Sequence, residues 1–451
     1  MSLIDQLPQA GRETAIIGLG KSGVAAGLLL RDRGVAVYAS EIRDSDTTRR
    51  WAETLRAAGA EVDLGTHDLE RIARAGTVVV APGVPPEAPP IRAASEAGLP
   101  ILAEVDLGFT ALPSTRFAAL TGTNGKTTTT SLVSHLMTAT GLDAVAAGNI
   151  GLPLCEVARR STPPAWVALE LSSFQLHDSP HIKPQVGVLL NLSSNHLDRY
   201  HSLEEYYGDK ALLFRNADAA SVSVSNADDA AVQGIMATVP GRHLRFSTER
   251  QADGWYDRAG GWLMLGADRL LLRSRLPLLG DHNIANALAA GLIVRELNGS
   301  LEAMASGLST FRAIEHRVEP VREVNGVLWI NDSKSTNVTS TEVAVTALDR
   351  PFVLLLGGRH KGEPYTRLGP LLRERCRAVV AYGESGDLVE QDLRDAVKVV
   401  RAGTFEQVVQ AAAGLARPGD AVLLSPACSS YDMFNNYEER GATFRALVEA
   451  L

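Results

Sequence analysis

Brief apolar runs recur along the whole chain, separated by helix-compatible stretches, and most of them stop at a polar or glycine-rich group. Runs bounded in this way read as strands buried on both faces, the pattern of a parallel sheet covered by helices. In the first segment Thr14 to Ile17, Val35 to Ala39 and Val78 to Ala81 read as strands, with Val24 to Arg33 as a helix. The pattern restarts after Pro113, which predicts a boundary near residues 108–115. Phe117 to Leu120, Trp166 to Leu169 and Val186 to Leu190 then read as strands and Thr128 to Ala139 as a helix. Residues 215–277 hold short alternating segments such as Ser221 to Val224 and Trp262 to Leu265, which predict a small β-rich addition or a peripheral extension of the sheet. A helix opens around Asp281, His282 and Asn283 and continues through Val294, and a further boundary is expected near residues 310–320. Beyond it Trp329 to Ile330, Val353 to Leu356, Val379 to Ala381 and Val422 to Leu424 predict another α/β unit.

The loop after Phe117 to Leu120 reads Thr121-Gly122-Thr123-Asn124-Gly125-Lys126-Thr127-Thr128. Gly122 and Gly125 allow tight turns, Lys126 can reach the terminal phosphates of a nucleotide, and Thr127 can offer a hydroxyl to magnesium. The order strand, loop, helix is that of a phosphate loop, in variant form because Leu120 stands where the usual first glycine would fall. An earlier turn, Gly18-Leu19-Gly20-Lys21-Ser22-Gly23, follows the first strand, and Ser40 and Glu41 close the second. By itself it fits a dinucleotide, a nucleotide-sugar or other phosphate ligand, or a structural turn. Ala81-Pro82-Gly83-Val84 is a further strand feeding a tight loop. The expected fold is α/β in three domains: a Rossmann-like N-terminal domain over 1–110, a central P-loop ATPase-like domain over 111–313, and a C-terminal α/β domain over 314–451.

Three domains suit a chain of 451 residues. A net charge of -8 disfavours a broad basic field for nucleic acid, while leaving room for a locally basic cleft. The start lacks the basic and apolar regions of a secretory signal, and no long uninterrupted apolar segment follows, so a cytoplasmic protein without an integral membrane segment is expected. Cys155, Cys376 and Cys428 are too few and too separated for a disulfide framework or thiolate cage, and read as reduced, buried small residues.

Polar groups gather at strand ends, the rim where open parallel sheets bind ligands. Glu170 follows one strand and could complete a magnesium site with Thr127 and phosphate oxygens; an ordinary strand-end carboxylate is the plain alternative. His196 follows another and could approach the same site, with Asp198 orienting it. Lys210 has no local signature and alone reads as a solvated lysine. In the last segment Asp332, Ser333, Lys334, Ser335 and Thr336, together with Lys361 and Ser430, outline a pocket for an anionic substrate. No histidine can be paired with Cys428, which argues against a nucleophilic cysteine.

Taken in order, these motifs resemble the Mur ligases, the amino-acid ligases of peptidoglycan-precursor synthesis. The resemblance spans nearly the whole chain: Gly18 to Gly23, Ala81 to Val84, Thr121 to Thr128, Ala147 to Gly151, Leu169 to Leu176, Gly280 to Asn286, His316 to Glu319, Asn331 to Asn337 and Leu424 to Gly441. It implies ATP-dependent formation of a C–N bond between UDP-N-acetylmuramoyl-L-alanine and D-glutamate through an acyl phosphate, with Mg2+ as cofactor and a monomeric enzyme. Gly18, Lys21, Ser22, Ser40, Glu41 and Asn149 would face the UDP substrate. Gly122 to Thr128, Asn283, His316, Arg317 and Asp332 would face ATP, with Lys126 catalytic. Thr127, Glu170, His196 and a carbamylated Lys210 would serve the metal. Lys334, Thr336, Lys361, Ser430 and Tyr437 would form the glutamate pocket. The family's usual acidic residue at 195 is Asn195 here, and Tyr437 replaces a common phenylalanine. The Asp-Asn-Pro-Arg signature of the diaminopimelate-adding relatives is absent. The alternatives are glutamate addition to another acyl acceptor such as a folate, L-glutamate in place of D-glutamate, and a noncatalytic nucleotide-binding regulator.

Overall fold

The structure, a computed structural model, describes residues 11–193 and 200–451. The expected strands assemble into three sheets, whose order places the loops discussed below. The first contains β1 (Thr14–Ile17), β2 (Val37–Glu41), β3 (Glu61–Leu64), β4 (Thr77–Val80) and β5 (Ile101–Ala103) in the order β3-β2-β1-β4-β5. All its pairings are parallel. The order reverses at β1, so a crevice opens beyond the carboxyl ends of β1 and β4, where a doubly wound sheet takes a nucleotide. The helix Lys21–Asp32 starts three residues earlier than the apolar pattern suggests, because polar Lys21 and Ser22 form its exposed first turn.

The second sheet is built on β6 (Arg116–Thr121), β7 (Ala144–Gly148), β8 (Trp166–Glu170) and β9 (Val186–Leu189). It continues through β10 (Val222–Asn226), β11 (Arg242–Ser247), β12 (Gly254–Asp257), β13 (Trp262–Leu265) and β14 (Asp268–Leu272). The order β14-β13-β12-β11-β10-β9-β6-β8-β7 makes residues 215–277 an extension of the central sheet, parallel as far as β12 and antiparallel beyond. The third sheet holds β15 (Glu319–Val324), β16 (Val327–Asn331), β17 (Phe352–Gly357), β18 (Cys376–Tyr382), β19 (Val399–Arg401) and β20 (Ala421–Leu424). Its order is β15-β16-β20-β17-β18-β19, parallel except for the β15–β16 hairpin.

The chain packs as two compact units. The first carries the first two sheets and ends with Ala285–Ser309; the second carries the third sheet together with Leu276–Ile284. Within the first unit a single apolar cluster runs from Ile16 and Leu29 through Val105 and Leu154 to Phe117 and Leu169, so the two sheets share buried surface. Polar ties reinforce that junction. Asp178 O accepts from Ala103 N at 2.7 Å, and Arg159 pairs with Asp32 at 2.6 Å. In the second unit Leu279 packs against the cluster around Leu354 and Leu423. Cys155 and Cys428 are buried and Cys376 half-buried, all three as free thiols. Among the described residues no helix is long and apolar enough to cross a membrane.

Candidate active site

The phosphate loop leaves β6 at Thr121, and Gly122 and Gly125 take φ values of 152° and 79° that other residues rarely adopt. Gly125 caps the helix Lys126–Ala139, which therefore begins two residues before the Thr128 expected from the apolar pattern. A Cβ at Gly125 would lie 2.5 Å from Asn286 Oδ1, and that oxygen already accepts from Thr129 Oγ1 at 3.1 Å. The loop is braced by the residues that follow β9, on the rim where the sequence pattern places them. Thr123 N donates to Asn191 O at 2.9 Å and Asn124 N to Asn191 Oδ1 at 2.8 Å, while Ser193 N donates to Thr123 Oγ1 at 3.0 Å.

Two lysines converge on this loop. Lys126 Nζ donates to Gly122 O and Thr123 O, each at 2.9 Å, and Lys210 Nζ donates to the same Gly122 O at 2.9 Å. Lys210 is 1% exposed, with its amine over the Tyr206 ring at 4.6 Å. Burial, with a contribution from the neighbouring Lys126, pushes its pKa down to about 6. A solvated lysine is thus the wrong reading of Lys210: it is a buried amine beside a phosphate loop, with its pKa well below that of a free lysine.

Glu170 ends β8 next to the loop. Its Oε1 accepts from Asn149 Nδ2 at 3.0 Å, while its Oε2 is buried with no hydrogen-bond partner. A buried carboxylate oxygen lacking a donor suits a hard cation such as magnesium, and Thr127 lies half-buried at the helix start. No three His, Cys, Asp or Glu side chains gather among the described residues, so such an ion would also draw ligands from the nucleotide. His196, with Asn195 and Asp198, lies outside the described residues. Asn149, expected at the UDP substrate, lies beside Glu170 through this bond.

In the first sheet the two glycine motifs meet, since a Cβ at Gly18 would press on Ala81 Cβ at 2.9 Å. Gly18 N donates to Ser40 O at 2.9 Å. Glu41 Oε2 accepts from Leu19 N at 3.0 Å and Oε1 from Arg43 N at 2.9 Å. Burial raises the Glu41 pKa, but these N–H groups and the Arg43 charge outweigh it and hold the carboxyl below its ordinary value. Ser40 and Glu41 are the last residues of β2 rather than a loop beyond it, and they order the crevice wall. His67, a residue not anticipated, bonds Ser40 Oγ through Nδ1 at 2.8 Å.

The second unit gathers the remaining candidates at the carboxyl ends of β16, β17 and β20. Lys361 Nζ donates to Thr336 Oγ1 at 3.1 Å, and the Arg359–Ser429 bridge brings the segment before Lys361 beside buried Ser430. Lys334 Nζ lies 5.9 Å from the Tyr437 ring centroid, and the His316 ring meets Tyr437 edge-on at 6.2 Å. His316 has a φ of 63°, held by Asn331 Nδ2 at its Nδ1 (3.0 Å) and by donation of its N–H to Glu319 Oε2 (2.9 Å). Asp332 is buried and accepts from Ser425 Oγ at 2.8 Å and Val318 N at 3.1 Å; burial, partly offset by these donors, puts its pKa at about 6. Asn283 Nδ2 donates to Leu279 O at 2.7 Å. Arg440, fully buried and missed in the sequence, ties the two substrate loops together by donating to Ser333 Oγ (2.9 Å), Ser333 O (2.8 Å) and Cys428 O (3.2 Å).

Three family models match in chain order: a MurD-like Mur ligase N-terminal domain over residues 12–103, a Mur ligase middle domain over 120–294, and a Mur ligase glutamate ligase domain over 316–428. The chain is 39% identical to the UDP-N-acetylmuramoylalanine–D-glutamate ligase of Acidobacterium capsulatum, covering 98% of this chain and 96% of that one. It is 40% identical to the enzyme of that name from Salinibacter ruber, with 97% of each covered. The crystal structure of the UDP-N-acetylmuramate–alanine ligase of Thermotoga maritima shares the fold at a TM-score of 0.62 and 18% identity, over 97% of this chain and 99% of that one. Three α/β sheets in this order, a phosphate loop beside a carboxylate with a free oxygen, and full-length similarity at this level have one common explanation: the chain belongs to the Mur ligase family.

Proposed function

We propose that the protein joins D-glutamate to UDP-N-acetylmuramoyl-L-alanine at the expense of ATP, as a cytoplasmic, monomeric enzyme of peptidoglycan-precursor synthesis. In this reading residues 1–110 hold the UDP substrate, 111–313 bind ATP, and 314–451 bind glutamate. The observation that carries it is the convergence of Lys126 and Lys210 on the Gly122 carbonyl, with the free Glu170 oxygen on the neighbouring strand. Cationic and metal-binding groups placed together there suit the transfer of a phosphoryl group.

The acceptor carboxylate attacks the γ-phosphorus, the bond from phosphorus to ADP breaks, and an acyl phosphate forms. The glutamate amine then attacks the acyl carbon, expelling phosphate and losing a proton. Lys126 neutralises charge on the moving phosphoryl group. Thr127 and Glu170 would hold magnesium, with His196, and when bound the ion would supply charge neutralisation at the phosphate oxygens. Lys210 as its neutral amine can add to CO2 and release a proton, giving a carbamate whose oxygens are metal-ligand donors. Gly18, Lys21, Ser22, Ser40, Glu41 and Asn149 remain the proposed UDP-substrate group, and Asn283, His316, Arg317 and Asp332 the proposed ATP group outside the loop. Lys334, Thr336, Lys361, Ser430 and Tyr437 receive glutamate.

The test is an ADP-release assay with each acceptor and each glutamate enantiomer. Turnover requiring both UDP-N-acetylmuramoyl-L-alanine and D-glutamate is expected. Turnover with a folate acceptor alone, or a clear preference for L-glutamate, would overturn the substrate assignment.

A further inference from the structure

The segment Arg359 to Lys361 and the loop Cys428 to Ser430 meet through two backbone hydrogen bonds: Arg359 N donates to Ser429 O at 2.9 Å and Ser429 N to Arg359 O at 3.1 Å. Gly358, at φ 133°, permits the close approach, since any side chain there would collide with Ser429 O. Ser429 Oγ adds a third bond to Arg359 O at 3.2 Å, and beyond these contacts lie Lys361, whose Nζ donates to Thr336 Oγ1, and buried Ser430. Underneath lies a chain of polar side chains that no part of the reaction requires. Tyr365 is 0% exposed, and its hydroxyl lies 2.7 Å from Cys428 Sγ and 3.0 Å from His360 Nδ1. Ser385 Oγ reaches Cys428 Sγ at 3.4 Å, and Tyr365 N donates to Asp392 Oδ2 at 2.9 Å.

We propose that Tyr365 is a positioning residue for the glutamate site: its hydroxyl links His360, next to Lys361, to Cys428, two residues before Ser430, and so fixes the spacing of the two substrate-facing groups. The inference rests on the reading of Lys361 and Ser430 as glutamate ligands. A hydroxyl has one proton to give. Given to His360 Nδ1, it confines the imidazole proton to Nε2; given to Cys428 Sγ, it leaves Nδ1–H to donate to the Tyr365 oxygen, and either arrangement holds a single tautomer. A phenyl ring of the same shape would fill the core equally well, but would remove the hydroxyl that joins His360 Nδ1 to Cys428 Sγ, leaving Sγ with Ser385 and the two loops with the Arg359–Ser429 bonds.

The experiment compares wild type with Tyr365→Phe in steady-state kinetics for all three substrates, with 15N spectra of the His360 ring. Loss of one buried hydrogen bond is expected to raise KM for D-glutamate by about tenfold. KM for ATP and kcat should stay within about twofold, because the phosphate loop is built from other residues. The His360 nitrogens should change from a single tautomer to a mixture. An unchanged D-glutamate KM, or an equal rise in every KM, would overturn the proposal. If Tyr365→Phe does not fold, His360→Ala, which leaves the tyrosine in the core, is read by the same kinetics. Wild type that shows no glutamate-dependent turnover would instead overturn the ligase reading beneath it.

Discussion

Lys126 and Lys210 share one carbonyl, yet they present opposite cases of what a sequence discloses. Lys126 is legible because its neighbours Gly122 and Gly125 announce a loop that must face phosphate, and its charge is put to use there. Changing it to Ala should lower kcat by about 10²–10³-fold with little change in the melting temperature, since a phosphate-neutralising cation is lost while the loop backbone remains. A folded variant with wild-type turnover would remove the loop from the mechanism. Lys210 is 88 residues from Gly122 in sequence, and only the order of β9, β6 and the helix Leu203–Ala211 brings it there. Arg440 and Ser333, 107 residues apart, were hidden for the same reason. A lysine whose pKa is lowered to about 6 is neutral above that pH and charged below it, so carbamate formation is available at neutral pH and fades as pH falls through about 6. Ligation by wild type should therefore drop in CO2-free buffer and return on adding bicarbonate. Lys210→Ala should be nearly inactive and indifferent to bicarbonate, while formate or acetate, by replacing the missing oxygen donor, restores part of the rate. Full wild-type activity in the rigorous absence of CO2 would exclude the carbamate.

At the scale of elements, most interior strands were readable, β11 and β12 within 215–277 excepted, and the edges were not. β1, β4, β6, β8, β9, β16, β17, β18 and β20 are apolar runs, as expected of strands paired on both edges in sheets whose faces are covered by helices. The six edge strands carry weaker signals: β3, β14, β15 and β19 hold charged residues, β5 has only three residues, and β7 is alanine- and glycine-rich. An edge has less to bury, and charge there discourages further pairing. The helix Glu104–Thr110 was equally hard to anticipate, since its function is to dock the first sheet on the second. Glu104 is 1% exposed, Oε1 accepts from Cys155 N at 2.6 Å, and Oε2 has no partner. Burial raises its pKa to about 7, with the charge of Glu156 adding and the N–H groups of Cys155 and Leu154 opposing. For an acid raised from 4.5 to about 7, the folded state holds its proton more tightly, so the stabilising contribution is complete below about 4.5 and is lost as pH rises through about 7. Glu104→Gln, neutral throughout, keeps the acceptor for Cys155 N and escapes that loss. Its melting temperature relative to wild type should rise between pH 5 and pH 7.5; a difference that is flat or falls over that interval would show that Glu104 is ionised in the folded protein.

For the whole molecule, the sequence pattern suggested boundaries where the apolar rhythm restarts, but compactness follows burial rather than rhythm. The first two sheets share a core, while Leu276–Ile284 leaves the unit that surrounds it in sequence and joins the C-terminal one. The helix Asp281–Glu296 accordingly begins in one unit and ends in the other. Nothing in the periodicity of that helix marks the change, because both halves need an apolar face. Leu279 makes the assignment testable, since it is half-buried against the cluster of Leu354, Leu356 and Leu423. Leu279→Ala should cost about 1–2 kcal/mol, less than a fully enclosed leucine because part of the side chain remains solvated. If the segment belongs to the C-terminal unit, that cost falls on the local opening of its sheet. Amide hydrogen exchange should then accelerate in β16, β17 and β20 of the variant, while β6 and β8 keep their wild-type protection. Equal acceleration in all five strands would mean that the chain unfolds as one cooperative body, and acceleration confined to β6 and β8 would return Leu276–Ile284 to the first unit.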